Sequence, residues 1–354
     1  MGTTKWNVTT DLTPNDKNNI NQAAQHVQMG DVIAFPTETV YGLGADATNP
    51  LAIKKIYEAK GRPSDNPLIV HVAQKEDLLL VAANIPSLAE SIIDAFMPGP
   101  LTLILPSNGQ AAENVTAGLS TVGVRIPDHP VALEFIKACG CPIAAPSANR
   151  SGRPSPTTAQ HVLLDLDGKI AGILDGGPAG VGVESTVLDV TGEIPEILRP
   201  GGVTREEIEK VIGTIVLDPS LTEEKEKPKS PGMKYTHYAP EVPLYIVDGP
   251  FSWVDQKIEE LHQQGKRVGF ITADEHLMKI PNDGSPPEDW NVEQILSYGS
   301  SKRPEDIAKN LYSTLRSFSR ERVDVILCEP VLPVGIGVAV MNRLEKAATG
   351  VWMA

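Results

Sequence analysis

The segment CPIAAPSANRSGRPSPT, residues 141 to 157, changes within a few residues from an apolar run to a polar, proline-rich one. Its apolar start, Pro142 to Ala145, predicts the end of a buried strand. The prolines and the glycine that follow interrupt regular structure. Thr157 and Gln160 then have capping-box spacing, which predicts the start of a helix. The segment therefore predicts a polar loop between a strand end and a helix N-terminus, as in an α/β fold.

The chemistry of this loop allows two interpretations. Ser147 and Asn149 offer hydroxyl and amide groups, and Arg150 and Arg153 offer guanidinium groups. Donors and cations beside a helix N-terminus suit an anion, most simply a phosphate. The pattern matches no general phosphate-loop formula, however, so a surface loop with incidental arginines is an equally good interpretation of this stretch alone.

The composition is that of a soluble globular protein. Of the 354 residues, 41% are hydrophobic and 21% charged, which supports genuine hydrophobic cores, and the length favours two domains. The formal net charge of -14 argues against a protein that coats nucleic acid, because such binding depends on neutralising phosphates with Lys and Arg. A local basic pocket remains compatible with it.

Cysteine usage and hydropathy indicate a reducing compartment. Cys139 and Cys141 do not form a CxxC pair, and Cys328 lies in an apolar run. We expect three buried or partly buried free thiols. The N-terminus lacks an apolar signal region, and no segment approaches the roughly 20 apolar residues of a membrane helix. These features predict a cytoplasmic protein.

The order of elements predicts two α/β domains. Alternating strand and helix patterns continue to about residue 216, with connections short enough to indicate a mixed sheet. A charged, proline-containing run follows, and a second α/β pattern with a parallel-sheet rhythm begins near residue 242. We predict a first domain at residues 12 to 216, a linker at 217 to 240 and a second domain at 241 to 354.

Polar residues collect at the strand ends of the first domain, while common catalytic motifs are absent. The sequence has no GxxxxGK[ST], no GxGxxG after a strand, no HExxH and no GxSxG. Taken singly, each strand-end residue has a good structural explanation; Lys60 and Arg62, for example, suit a solvated helix end. Taken together they predict a donor-rich cationic pocket without a candidate nucleophile, which suits phosphoryl or nucleotidyl transfer. The set comprises Thr39, Lys60, Arg62, Asn66, Arg125, Ser147, Asn149, Ser185 and Arg199.

Eight motifs occur in an order that resembles a known family. They read FPTETVYGLGADA, KGRP, NPLIVH, PGPLT, VGVRIPDHP, APSANRSGRPSPT, ESTVLD and LRPG, and the match around them spans residues 15 to 215. In this order they resemble the YrdC-like family of L-threonylcarbamoyladenylate synthases. The segment SPGMKYTHYAP and the remainder resemble the linker and C-terminal domain of its long members. The resemblance implies an open, twisted mixed sheet with a concave cationic cavity, followed by a smaller Rossmann-like α/β domain.

The resemblance also implies a reaction and its partners. L-Threonine, bicarbonate and ATP would give threonylcarbamoyl-AMP and pyrophosphate, the first step toward N6-threonylcarbamoyladenosine in tRNA. Mg²⁺ would accompany ATP, and no prosthetic group or protein metal ligand is implied. A separate tRNA threonylcarbamoyl-transfer complex would use the product. Neither membrane binding nor stable nucleic-acid binding is expected.

Site residues follow from the resemblance position by position. Lys60, Arg62, Ser147 and Asn149 would be catalytic and would hold the ATP phosphates. Further nucleotide positions are Asn66, Thr121, Ser155, Arg199 and Tyr235, the last closing over the nucleotide as part of a linker lid. Positions around L-threonine are Thr39, His71, Arg125, Ala145 and Ser185.

Two other functions were weighed against this one. An RNA-binding or ribosome-maturation module would also use a cationic concave surface, but the chain is acidic and lacks a motif with stacking aromatics. YrdC-like domains also occur in carbamoyl-transfer enzymes, which carry acylphosphatase and zinc-finger-like parts. The sequence shows neither part.

Overall fold

The structure is a computed structural model, and it describes residues 2–62, 64, 66–219, 237–277 and 291–354. The chain divides into two compact units. The first comprises Met1–Ser151 and Ser155–Tyr235, and the second comprises Gly152–Pro154 and Thr236–Ala354. Most of the predicted linker, including the proposed lid residue Tyr235, lies outside the described residues.

The first unit is built on a mixed sheet, as predicted. Its strands are β1 Thr4–Asn7, β2 Ile33–Phe35, β3 Gly42–Asp46, β4 Ile69–His71, β5 Leu101–Pro106, β6 Thr121–Arg125, β7 Ile143–Ala144, β8 Gly172–Asp175, β9 Thr186–Asp189, β10 Glu196–Arg199 and β11 Val216–Leu217. They follow the order β1-β8-β2-β3-β7-β4-β6-β5-β9-β10-β11. The sheet contains parallel pairs such as β4–β6 and antiparallel pairs such as β4–β7 and β5–β6. Strand β1 lies ahead of residue 12, where the sequence placed the start of this domain.

Helices cover this sheet. They are α1 Pro14–Gln28, α2 Pro50–Lys60, α3 Ser87–Phe96, α4 Glu113–Thr116, α5 Pro130–Cys139, α6 Ala159–Leu166 and α7 Arg205–Ile212, with a 3₁₀ helix at Lys75–Leu80. Two hydrophobic clusters lie on opposite faces of the sheet. Ile53 of α2 packs with Ala34 of β2 in one, whereas Phe135 of α5 packs with the neighbouring Phe35 in the other. Successive residues of a strand point to opposite faces, so β2 contributes to both cores.

Local sequence signals define helix α2. The side-chain oxygen of Asn49 accepts hydrogen bonds from the amides of Leu51 and Ala52, and Pro50 occupies the first helical position. Gly61 ends the helix in the left-handed conformation, with φ of 63°. These caps define the helix and put Lys60 at its last position, where its side chain is buried.

Helix α6 begins one residue later than predicted. Its N-cap is Thr158, whose hydroxyl accepts from the His161 amide at 3.2 Å. The carbonyl of Thr157 instead accepts a hydrogen bond from the Ala179 amide at 2.9 Å. Thr157 and Thr158 have the same side chain, and either could cap the helix. The backbone hydrogen bond between Thr157 and Ala179 leaves Thr158 as the N-cap.

The second unit has a parallel sheet, also as predicted. Its strands are β12 Leu244–Asp248, β13 Val268–Ala273, β14 Gln294–Gly299, β15 Val325–Cys328 and β16 Gly350–Met353, in the order β14-β13-β15-β12-β16. Its helices are α8 Phe251–Gln263, α9 Asp274–Leu277, α10 Pro304–Arg316 and α11 Gly337–Ala347. Every strand pair in this sheet is parallel. None of the described helices combines the length and apolar character needed to span a bilayer.

The three cysteines are unpaired, as expected. Cys139 and Cys328 are buried and Cys141 is half-buried. Burial, with a smaller contribution from the charge of Asp46, raises the pKa of Cys141 to about 12. Such thiols stay protonated at neutral pH and are poor nucleophiles.

Candidate active site

Lys60 anchors the polar loop that follows strand β7. Its ammonium nitrogen donates to the backbone oxygen of Ser147 at 2.5 Å, to that of Asn149 at 2.7 Å and to Asn149 Oδ1 at 3.3 Å. An ammonium group has three donors, and these three contacts match that number. Lys60 is only 3% exposed, so the alternative of a solvated helix end is wrong for this residue.

The loop is also held by its own side chains. Ser147 Oγ donates to Asn149 Oδ1 at 2.6 Å, and Asn149 Nδ2 donates to the backbone oxygen of Arg150 at 2.9 Å. The amide of Ser151 returns to the carbonyl of Lys60 at 3.0 Å. The structure thus brings together three of the four residues predicted to hold phosphates. Arg62 lies two residues beyond Lys60 and is half-buried.

Arg199 and Ser185 form a second polar cluster. Arg199 donates from Nε and Nη2 to the Ser185 carbonyl at 3.1 and 2.9 Å, and from Nη2 to Ser185 Oγ at 3.1 Å. Ser185 Oγ also lies 2.8 Å from Thr102 Oγ1. This cluster joins a predicted nucleotide position to a predicted amino-acid position.

A glycine permits this second cluster to form. A Cβ atom at Gly201 would lie 2.3 Å from the Thr186 amide nitrogen and 2.4 Å from the Glu184 carbonyl oxygen. The two backbone segments, which carry the ESTVLD and LRPG motifs, therefore touch directly. Nearby, Ser155 Oγ donates to Glu184 Oε1 at 2.5 Å, and both residues are buried.

Arg125 is the centre of a third cluster. It ends strand β6, in register with His71 at the end of β4. Its Nη1 donates to Thr39 Oγ1 at 3.0 Å, and its Nη2 pairs with Glu38 Oε1. These contacts give the guanidinium of Arg125 its partners, because a charge in a dry strand must be paired.

His71 is neutral in this setting. Burial, followed by the positive charge of Arg125, lowers the pKa of His71 to about 3. Its Nδ1 atom is buried and has no hydrogen-bond partner within the described part of the chain. His71 therefore offers an uncommitted ring nitrogen beside Arg125.

Polar positions share one face of the central strands. Alternation along β6 puts Thr121 and Arg125 on the same face, about 13 Å apart at 3.3 Å per residue. Gly123 lies between them, and a Cβ there would lie 3.3 Å from Ile104 and 3.4 Å from Thr102. This face therefore has an apolar floor, formed by the buried cluster Ile69, Ile104, Val187 and Leu198.

The remaining predicted residues are placed as follows. Asn66 is fully buried, and its backbone oxygen accepts from Tyr57 Oη at 3.0 Å. Ala145 is buried, and its amide donates to the Ile69 carbonyl at 2.9 Å. Glu38 was missed by the sequence analysis. The available signal was a carboxylate beside Thr39 in an otherwise uncharged stretch.

Metal binding by protein groups alone finds no support in the described ranges. Across residues 2–62, 64, 66–219, 237–277 and 291–354, no group of three or more His, Cys, Asp or Glu side chains is arranged to hold a metal ion. The side-chain oxygens in the part of the loop that contacts Lys60 include those of Ser147 and Asn149. Oxygen donors of this kind suit a hard cation that arrives with phosphate oxygens of its own.

Two family models match the chain. One, described as "Telomere recombination" (Sua5/YciO/YrdC), matches residues 25–201. The other, described as "Threonylcarbamoyl-AMP synthase, C-terminal domain", matches residues 203–349. Together they cover residues 25–349 except residue 202.

Curated relatives and a solved structure extend this similarity over the full length. A threonylcarbamoyl-AMP synthase of Bacillus subtilis is 52% identical, over 99% of this chain and 99% of the relative. One from Pyrococcus abyssi is 49% identical, over 92% of this chain and 93% of the relative. The crystal structure of P. abyssi Sua5 complexed with L-threonine matches with a TM-score of 0.89 at 46% identity, over 99% of this chain and 100% of that one.

Proposed function

The chain belongs to the threonylcarbamoyl-AMP synthase family in its two-domain form, and we propose that it makes threonylcarbamoyl-AMP and pyrophosphate from L-threonine, bicarbonate and ATP. The observation that carries this proposal is the full-length similarity to synthases from a bacterium and an archaeon. The three polar clusters of the first unit supply groups suited to each substrate.

The amino acid would bind at the Arg125 cluster. A guanidinium group suits a carboxylate, and the hydroxyl of Thr39 is held against Arg125. The related P. abyssi protein was crystallised with L-threonine. His71, Ala145 and Ser185 would complete this subsite. A partner for the substrate hydroxyl would separate L-threonine from the near-isosteric valine.

ATP would bind along the Lys60 loop. The buried ammonium and the guanidinium of Arg62 would offset the charge of the triphosphate, and Ser147, Asn149, Asn66, Thr121, Ser155 and Arg199 would supply further contacts. Tyr235, which lies outside the described residues, stays a prediction. Mg²⁺ would be held chiefly by phosphate oxygens and water, and the side-chain oxygens of Ser147 and Asn149 would be available to it. It would supply charge neutralisation for the leaving pyrophosphate.

The reaction needs positioning rather than a protein nucleophile. The amine of threonine would attack bicarbonate and form a carbamate with loss of water. A carbamate oxygen would then attack the α-phosphorus of ATP, and the bond to pyrophosphate would break. Two anions must meet in this step, so fixed positive charge and aligned substrates account for the residue types present.

The chemistry of the product indicates what kind of reaction would follow. A mixed anhydride of a carbamate and AMP is activated for transfer to an amine. The next step would be catalysed by a tRNA threonylcarbamoyl-transfer complex, in the cytoplasm. Stable nucleic-acid binding by this chain is not expected, because of its net charge of -14.

Pyrophosphate release tests the proposal. The full chain is incubated with ATP, Mg²⁺ and bicarbonate, with L-threonine, with L-valine or with no amino acid. We expect release that depends on L-threonine and is much slower with valine. Release that proceeds equally without an amino acid would contradict the proposal. Tight, steeply salt-dependent RNA binding without synthesis would instead favour an RNA-binding module.

A further inference from the structure

The ion pair between Arg125 and Glu38 is almost completely buried. The side chains are 4% and 11% exposed, respectively. Glu38 Oε1 pairs with Arg125 Nη2, and Arg125 Nη1 is bonded to Thr39. Two buried polar atoms of the same pair, Glu38 Oε2 and Arg125 Nε, have no partner within the described residues. One is an acceptor with negative charge and the other is a donor with positive charge.

These two unsatisfied atoms need an explanation. A buried polar group without a hydrogen bond costs about 1–3 kcal/mol, and more when it is charged. Folded proteins keep few such groups, and those they keep often serve a ligand. A ligand that satisfies both atoms must carry an acceptor for the guanidinium and a donor for the carboxylate. An α-amino acid carries both, on adjacent groups.

The backbone holds Glu38 firmly in position. Its carbonyl accepts from the Val181 amide at 2.7 Å, and the Thr39 carbonyl accepts from the Gly182 amide at 3.1 Å. On the same turn, Thr37 Oγ1 lies 2.8 Å from Thr39 Oγ1. The backbone contacts and the ion pair with Arg125 together position the Glu38 carboxylate, and a positioned carboxylate can discriminate between ligands.

We propose that Glu38 is a specificity-determining residue that receives the amino group of the substrate at Oε2. Arg125 receives the carboxylate, and the buried pair therefore recognises the two charged ends of an α-amino acid together. This inference rests on the proposed function, since it takes the Arg125 cluster as the L-threonine subsite. It predicts selection for the α-amino group itself, beyond recognition of the carboxylate and the side-chain hydroxyl.

A pair of ligands isolates this contact. L-Threonine and 3-hydroxybutanoate share the carboxylate and the hydroxyl, but only threonine has the amino group. Binding of each to the full chain is measured by titration calorimetry, for the wild type and for Glu38→Gln, which keeps the shape and removes the charge. In the variant, we expect the affinity for L-threonine to fall about 10- to 100-fold. The affinity for 3-hydroxybutanoate should stay within about threefold of wild type.

The experiment includes a matched control variant, and a second variant of Glu38 in case the first does not fold. Glu58→Gln removes an exposed carboxylate on α2, 61% exposed, and should leave both affinities unchanged. If Glu38→Gln does not fold, Glu38→Asp keeps the charge but draws the carboxylate back. That variant should also lose affinity for L-threonine and keep the binding of 3-hydroxybutanoate.

The outcomes separate this inference from the proposed function. Equal loss of both ligands, or loss of neither, would overturn the role of Glu38 and would mean that the pair is structural or is bridged by water. If wild-type protein releases pyrophosphate in a threonine-dependent way in that case, the proposed function still stands. Wild-type protein that binds no L-threonine would overturn both.

Discussion

Lys60 and Asn149 are in direct contact: the ammonium nitrogen lies 2.7 Å from the backbone oxygen and 3.3 Å from the side-chain oxygen of the asparagine. The family resemblance predicts each of them as a phosphate-binding position, and they are 89 residues apart in the sequence. In the folded chain they form one unit, in which a buried cation fixes the conformation of the loop that carries Ser147 and Asn149. The charge and the loop geometry therefore depend on each other.

Replacing Lys60 by methionine tests this dependence. Lys60→Met keeps the aliphatic length but leaves the acceptors of Ser147 and Asn149 without their donor. Each unsatisfied buried acceptor costs about 1–3 kcal/mol, so we expect the free energy of unfolding to fall by about 2–4 kcal/mol in urea titrations. Pyrophosphate release should also be lost. Lys54→Met, at an exposed position on the same helix, is the control. An unchanged unfolding midpoint for Lys60→Met would show that the loop does not need this anchor.

The fork of Arg199 should not be replaceable by lysine. Nε and Nη2 both donate to the Ser185 carbonyl oxygen, and the single nitrogen of an ammonium group cannot reproduce two bonds from separate nitrogens of a rigid plane. We expect Arg199→Lys to lower the free energy of unfolding by about 1–2 kcal/mol and kcat/KM by about tenfold or more. Arg205→Lys, at an exposed position on α7, should change neither quantity. Wild-type values for Arg199→Lys would mean that the fork geometry is unimportant.

Gly201 should tolerate no side chain. A methyl group there would lie 2.3–2.4 Å from backbone atoms of Glu184 and Thr186, and backbone paired in a sheet cannot retreat as a flexible side chain can. Overpacking of this kind costs about 1–3 kcal/mol or more, so Gly201→Ala should lower the thermal midpoint and weaken substrate binding. At Gly192 the nearest atom would be 3.7 Å away, and Gly192→Ala should be tolerated. Equal stability of the two variants would contradict the close approach.

His71 should make the protein acid-sensitive. Its pKa is lowered to about 3 in the folded state by burial and by Arg125, against an ordinary value of 6.5. Between these pH values the unfolded chain binds one more proton than the folded chain, so stability falls as pH decreases from 6.5 toward 3. The loss is about 1.4 kcal/mol per pH unit, or about 2 kcal/mol at pH 5.

A histidine variant separates this effect from other titrations. His71→Gln should be less sensitive than wild type to a change from pH 7.5 to 5.0 by about 2 kcal/mol, measured as free energies of unfolding in urea. Identical pH profiles for wild type and His71→Gln would exclude a buried neutral histidine.

Much of the fold follows from local patterns. The capping residues of α2, Asn49 and Gly61, can be recognised from the sequence. Asn and Gly are typical of these positions, because a cap depends on few neighbouring residues. The mixed and parallel character of the two sheets follows from the connections between strands. Strand β1 was missed because its stability comes from pairing with β8, some 168 residues away, and not from its own composition.

Some features of the candidate site could likewise be predicted from the sequence, and others could not. Arg125 stands out in the sequence because a charge in an apolar strand requires a partner, and the sequence identifies it without naming that partner. Glu38 supplies the partner, and only the packing of strand β6 against the turn before β3 reveals it. The interior position of Lys60 was likewise hidden, since a lysine at a helix end is usually solvated.

The amino-acid sequence alone determined the alternation of helices and strands in two α/β domains, the family and the chemical types of the site residues. Those depend on short-range preferences and on motifs that lie within single segments. The tertiary structure decided which side chains satisfy one another: Lys60 with the Asn149 loop, Arg199 with Ser185, and Arg125 with Glu38. Such pairings join separate segments, 14 to 89 residues apart in the chain, and the burial that makes them necessary exists only once the sheet has formed.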